Sequence, residues 1–557
     1  VEIAFFVTPA IVLFALFVIV PIVQAARYSL FKWNGLGPLT NFAGLANYTN
    51  ALSDPVFLGA IGNNFTIAAV SILVQLPLGL GIALLLNRRI RGRAVLRVVV
   101  FVPYVLAEVV AGVVWLMLLQ PDGLVDALLR SLGLGWAIQL WLGDPNVALG
   151  TVLVVLTWKY LGQAIILFLA GLQSVPDDLY EAAQLDGASW WQMQRRIAIP
   201  LLGPTMRTWA FLALIGSLQV FDMIWILTRG GPVNSTMTMA IYMITQGSKR
   251  NLYGYASAVA VILFLVSLAV ASLYQVFVQP LRARRRPDLS AVAVYGVALL
   301  VVGLTVGPVL YAAVSGFRTT GQLAANPVSW PNPWVAENYL NVLGSAAFWR
   351  YALNSSLIAV VTTAVVVVLG VMAAYPLARY EFRGREALFS LFTLGLMFPI
   401  AVAIVPLFLM VRDLQLVNTI WGVVLPQAAF ALPVTIVILR PFLMAFPKDL
   451  EEAALIDGTS RLGFFWRILL PLSGPGLVTV GVLAFVGSWN AYLLPLLVLN
   501  QPEAKTLPLG VADFSTEHAV DTAGVLAFTT VAMIPALVFF LAMQKHIVNG
   551  LQGAVKG

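Results

Sequence analysis

The chain has 557 residues, 60% of them hydrophobic and 10% charged, with a formal charge of +8 and no cysteine. A soluble protein carries roughly 25% charged residues, so this chain cannot cover a water-facing surface and its solvent must be lipid. The absence of cysteine excludes disulfides, thiolate-held zinc, iron–sulfur clusters and thiol catalysis, and the basic balance reads as the charge asymmetry of membrane loops rather than as a nucleic-acid surface.

A helix needs roughly 20 apolar residues to cross the hydrocarbon, and twelve stretches reach that length. They are 3–23, 65–86, 98–119, 151–172, 206–227 and 255–278, then 291–314, 357–377, 388–411, 420–444, 477–499 and 525–543. The chain opens at Val1 rather than Met, and its first run, too long for a signal-peptide core, is expected to be a retained span. With a cytoplasmic N-terminus, 19 of the 32 lysines and arginines fall in cytoplasmic connections and 10 in outer ones. The positive-inside rule selects that orientation, with both termini in the cytoplasm. Arg282, Arg284, Arg285 and Arg286 between Pro280 and Pro287 read as a basic cytoplasmic linker over 281–290. The expected fold class is therefore all-α integral membrane, with twelve transmembrane helices in two homologous six-helix halves, 1–280 and 291–557.

Self-similarity is the strongest signal. Pro176 to Pro204, between the fourth and fifth predicted spans, matches Pro447 to Pro475 at a constant offset of 271, with 15 of 29 residues identical. Apolar spans resemble one another through composition alone, but polar loops do not, so the halves are duplicated domains that enter the membrane in the same orientation. In the loop, Pro176 suits a first helical position, and Leu179, Ala182 and Ala183 form one small apolar face. Asp186-Gly187 ends the helix, since glycine accepts the left-handed cap conformation. Ser189 with Gln192 predicts a capping box on a second helix, which Pro200 and Pro204 are expected to stop. The Ala-rich face suits docking in a groove of another protein, and two copies suit a two-fold symmetric partner.

Glu181-Ala182-Ala183 with Asp186-Gly187, running to Pro200, and Glu452-Ala453-Ala454 with Asp457-Gly458, running to Pro471, resemble the EAA loop of ATP-binding-cassette importer permeases. Thr228-Arg-Gly-Gly-Pro232 in the first half and Trp489-Asn490-x-Tyr492-x-x-Pro495 in the second resemble the carbohydrate-uptake branch, the maltose and glycerol-phosphate type. The resemblance covers essentially the whole chain, the first half looking like the F-type subunit and the second like the G-type. The departure is their fusion, since these subunits are usually separate. The resemblance implies the type I importer membrane fold and coupling helices docked on two copies of a cytoplasmic ATPase, with Glu181 and Glu452 facing basic residues there. It also implies an extracytoplasmic sugar-binding protein and residence in a bacterial or archaeal cytoplasmic membrane. None of the seven lysines follows a glycine, so the chain has no phosphate-binding P-loop. It is expected to be no enzyme and to bind no cofactor or metal, with ATP and magnesium on the partner ATPase.

Ionisable residues deep in a bilayer are default functional candidates, and Glu108, Lys159 and Asp222 stand out, all in the first half. The resemblance places sugar contacts near Lys159, Tyr160, Gln163, Ser217 and Val220, with Gln219 and Asp222 close by and Trp489 and Asn490 as second-half candidates. Donors, acceptors and flat aromatic surface together suit a sugar. Against this stand a structural Glu108–Lys159 ion pair and interhelical hydrogen bonding by Ser217 and Gln219. A twelve-span secondary transporter of the major facilitator type is the main rival, although it has no need of matched EAA loops.

Overall fold

The computed structural model describes residues 2–87, 93–173, 175–277, 291–396, 400–447, 449–518 and 521–555. The predicted linker 281–290 lies outside them. The described residues are helical apart from connections and one isolated bridge between Phe31 and Phe42. Among the described residues, seven helices are long and apolar enough to cross a membrane: Glu2–Tyr28, Pro55–Leu86, Ala148–Leu169, Tyr253–Tyr274, Ala346–Arg379, Trp421–Met444 and Thr522–Phe539. Three bent pairs raise the number to ten. Of the twelve predicted spans, that leaves 291–314, where helix Ala291–Ser315 forms, and 388–411, which is divided between Arg385–Gly395 and Ile400–Asp413.

One bend corrects a predicted span, the other two fall just ahead of the predicted spans 206–227 and 477–499, and each has a local cause. The third predicted span breaks by 107° between Val99–Val105 and Glu108–Leu118. Pro103 sits in the last turn before the break, where it deprives the helix of a donor, and Ala107 is extended. Trp190–Leu201 meets Gly203–Gln219 at 61°, and Arg461–Leu472 meets Gly474–Asn490 at 75°. Both bends precede a Gly-Pro pair that opens the next helix, with the proline in its first turn, where a missing N–H costs nothing. The predicted fifth span, 206–227, also ends early. Its helix stops at Gln219, and Asp222–Leu227 forms a separate short helix.

The duplication extends beyond the loops that reveal it. Asn47 donates to the carbonyls of Ser29 and Phe31 at 2.8 and 2.9 Å, and Asn338, 291 positions later, donates to Gly316 and Arg318 at 3.0 and 2.7 Å. Asn63 holds Ser235 and Met237 at 3.0 and 2.9 Å, and Asn354, again 291 later, holds Glu503 and Lys505 at 2.8 and 3.0 Å. The offset falls from 291 to 271 in between, where the first half carries the longer connection, with helix Leu124–Ser131, and the second half turns directly from Asp413 to Trp421.

The halves interlock. The first helix packs against Ala346–Arg379 and Trp421–Met444 of the second half. There Phe6 is fully buried, edge-on to Tyr375 at 5.2 Å and Phe465 at 4.8 Å. Reciprocally, Ala291–Ser315 packs on Arg93–Val105, and the Trp158 indole donates to the Leu304 carbonyl at 3.0 Å. One large apolar core runs through both halves.

Candidate functional site

Two helix breaks build the site. The broken third span leaves carbonyls without helical partners, and Lys159 reaches them from helix Ala148–Gln173. Its ammonium donates to Pro103 at 2.9 Å, Tyr104 at 3.1 Å and Leu106. Lys159 is 2% exposed, and among the described residues it makes no ion pair with Glu108. Glu108, in the first turn of the next helix, instead accepts the Tyr160 hydroxyl. Asp222 opens the short helix after the other break. The two short helices pack tightly, since a Cβ on Gly112 would meet Ile226 Cγ2 at 3.0 Å.

Glu108, Lys159, Tyr160 and Asp222 thus line one cavity of about 340 Å3, closed on the other side by the second half through Leu483, Gly487 and Asn490. Asn490 crosses to the first half, its Nδ2 donating to the Val105 carbonyl at 3.0 Å. Tyr160 also borders a smaller cavity of about 100 Å3 lined by Gln163, Ser217 and Val220. Ser217 is held by its own helix, donating to Ala213 O at 2.7 Å, and lies 3.3 Å from the Ser71 hydroxyl. The interhelical reading of Ser217 therefore has direct support. Gln219 and Trp489 line neither cavity, and Trp489 is buried against Phe485.

Several lining residues escaped the sequence reading. Tyr104, Ser71, Gln75 and Gly487 lie in apolar stretches with no charge to mark them. Asn64, one residue ahead of the predicted second span, is a fully buried amide on helix Pro55–Val70. It donates to Ser217 O at 2.7 Å and accepts from Met239 N at 2.9 Å, fixing the fifth-span break.

The two loop helices form at Asp177–Leu185 and Asp449–Ile456. Pro176 sits one position before the first as its cap, Gly187 and Gly458 adopt positive φ of 75° and 80°, and Ser189 with Gln192 makes the capping box. Pro200 does not stop the second helix. A π turn over Gln194–Ala198 precedes it, and this wider turn accommodates the missing N–H. The same turn recurs at Phe465–Leu469 ahead of Pro471.

Glu181, Ala182, Asp186 and Gly187 are exposed, as are Glu452, Ala453, Asp457 and Gly458. The predicted apolar face divides: Leu179 and Ala182 are exposed, while Ala183 is half-buried and its counterpart Ala454 is buried against the chain's own core; outside that face, Leu185 and Ile456 stand 90% and 85% exposed. Large apolar side chains at matching places on two polar loops form a ready contact surface. Arg379 steadies the second copy, bonding Glu451 at 3.1 Å and the Phe446 carbonyl at 2.7 Å.

The family of binding-protein-dependent transport system inner membrane components matches residues 75–284 and again residues 366–553. The chain belongs to this family. A probable ABC transporter permease of Pyrococcus horikoshii is 36% identical over 271 residues, covering 48% of this chain and 92% of that protein. The diacetylchitobiose uptake permease NgcG of Streptomyces coelicolor is 35% identical over 250 residues, covering 44% and 83%. The arabinooligosaccharides permease AraQ of Halalkalibacterium halodurans is 32% identical over 282 residues, covering 50% and 100%. Each relative corresponds to about half of this chain and the family matches it twice, so two permease units are fused in one membrane-spanning polypeptide. The relatives are membrane permease subunits, and the match sets the secondary-transporter reading aside.

Proposed function

We propose that this chain forms the transmembrane pathway of an ATP-driven sugar importer, residing in a prokaryotic cytoplasmic membrane with both termini inside. The observation that carries this reading is the pair of exposed loop helices, Asp177–Leu185 and Asp449–Ile456, one on each permease unit of a doubled family match. Two copies of an ATPase subunit, holding ATP and magnesium, dock there. An extracytoplasmic binding protein delivers the sugar to the opposite face. Glu2 lies 3.6 Å from Arg461, next to the second loop helix, which supports placing the N-terminus on the ATPase side. Closure of the ATPases moves the two halves, and the cavity between them alternates in access. Sugar is favoured as cargo because relatives carry diacetylchitobiose and arabinooligosaccharides in their names.

The test is substrate-dependent ATP hydrolysis by the chain in lipid, with its co-encoded ATPase and binding protein, screened against a sugar panel. Stimulation by one sugar in the presence of the binding protein is expected. Hydrolysis indifferent to every sugar would overturn the reading.

A further inference from the structure

Three charged side chains line the cavity between the halves, and they do not offer the same chemistry to a ligand. A lysine there suggests attraction for an acidic sugar. Its hydrogen bonds say otherwise: an ammonium has three N–H groups, and those of Lys159 go to Pro103, Tyr104 and Leu106. The lysine neutralises the carbonyls at the helix break and has no donor left for a ligand.

The groups that remain are acceptors. Asp222 Oδ1 is buried and receives no hydrogen bond. Asn490 commits its Nδ2 to Val105, and its Oδ1 is likewise buried without a donor. Glu108 accepts from Tyr160, and a carboxylate can accept further bonds. Buried polar atoms normally have partners, so two orphan acceptors at one cavity await donors from a ligand. Hydroxyl and amine groups bring them. A carboxylate, sulfonate or phosphate would place acceptor against acceptor.

We propose, resting on the permease reading above, that this cavity selects sugars presenting hydroxyl or amine donors and rejects their anionic counterparts, with Asp222 and Glu108 setting that selection. The chain in lipid nanodiscs is titrated with glucosamine, glucose and glucuronate, one ring in three charge states, and binding is followed by saturation-transfer NMR. Glucuronate is expected to bind at least about tenfold more weakly than glucose, a gap of about 1.4 kcal/mol, with glucosamine at least equal to glucose. Asp222→Asn should narrow the glucuronate gap to about threefold by offering an N–H donor in place of a carboxyl acceptor, with retained thermal unfolding showing that the variant folds. Equal or preferred glucuronate binding in the unaltered chain overturns the proposal. So does a gap that neither Asp222→Asn nor Glu108→Gln changes, or the absence of binding by all three probes. Sugar-stimulated ATP hydrolysis in the assembled importer is read separately: if it persists while glucuronate is preferred, the selection fails and the permease reading stands.

Discussion

The Asn490 amide donates to the Val105 carbonyl at 3.0 Å, joining residues 385 positions apart across the boundary between the two permease units. Both residues line the cavity between the units, and in the proposed importer the units separate there. Asn490→Ala should remove about 1 kcal/mol from this closed arrangement, a shift of roughly fivefold in its population. Elevated ATP hydrolysis without sugar is the expected signature. Hydrolysis as tightly sugar-dependent as before would mean the bond plays no part in coupling.

Lys159 is assigned to the helix break rather than to the cargo. Lys159→Met keeps the apolar stem and strips three carbonyls of their donor, which should lower stability by about 3 kcal/mol or more. Thermal unfolding in detergent measures this. A variant that folds normally but no longer transports would return the lysine to the cargo site.

Glu181 and Glu452 face outward on the two loop helices. Glu181→Lys with Glu452→Lys should release the ATPase subunits, seen as loss of co-purification, with unfolding unchanged because neither side chain is packed. Unchanged docking and transport in the double variant would remove these residues from the interface.

Arg379, 4% exposed in its side chain, ties the second loop helix to the membrane domain through Glu451 and Phe446. Arg379→Ala should loosen residues 449–456 by about 2 kcal/mol, the worth of a charged hydrogen bond. Hydrogen exchange should rise there and not over 177–185. Equal protection in both helices would count against the anchor.

Gly162 allows Ala148–Gln173 to approach the broken span, since a Cβ there would lie 2.4 Å from the Val100 carbonyl oxygen. Gly162→Ala should cost about 1–3 kcal/mol through overpacking. Gly216, which lines the smaller cavity and has nothing within 4 Å of such a Cβ, should accept alanine without loss of stability. Unfolding temperatures of the two variants decide the contrast.

The features legible in the sequence are those set by local chemistry. The positions of the seven unbroken spans follow from apolar length. The loop helices follow from proline, capping and glycine signals, and the duplication from residues such as Glu181 and Glu452 in polar loops. The breaks at Leu106 and Val220 were not legible. Pro103 was visible, but prolines also lie within helices Ala346–Arg379 and Trp421–Met444, which run on past them. Neighbouring residues that reclaim the freed carbonyls decide such cases, as Lys159 does, and that is tertiary information. For the same reason Lys159 and Glu108 read as a candidate ion pair, although the partners of each proved to be carbonyls and Tyr160. The cavity lining was partly legible through its charges, while Tyr104 and Gly487 carried no signal because their role lies only in what they leave open.

The buried position of Phe6 against Tyr375 and Phe465 also bears on biosynthesis. Phe6 is made 369 residues before Tyr375 and 459 before Phe465, the side chains that bury it. At ribosomal rates of about 5–20 residues per second, the first helix waits on the order of tens of seconds without its partner. In water such a helix would aggregate. In a bilayer its apolar faces rest against lipid tails as readily as against protein, so a first-half helix that packs against the second half can wait in the membrane until its partners are made.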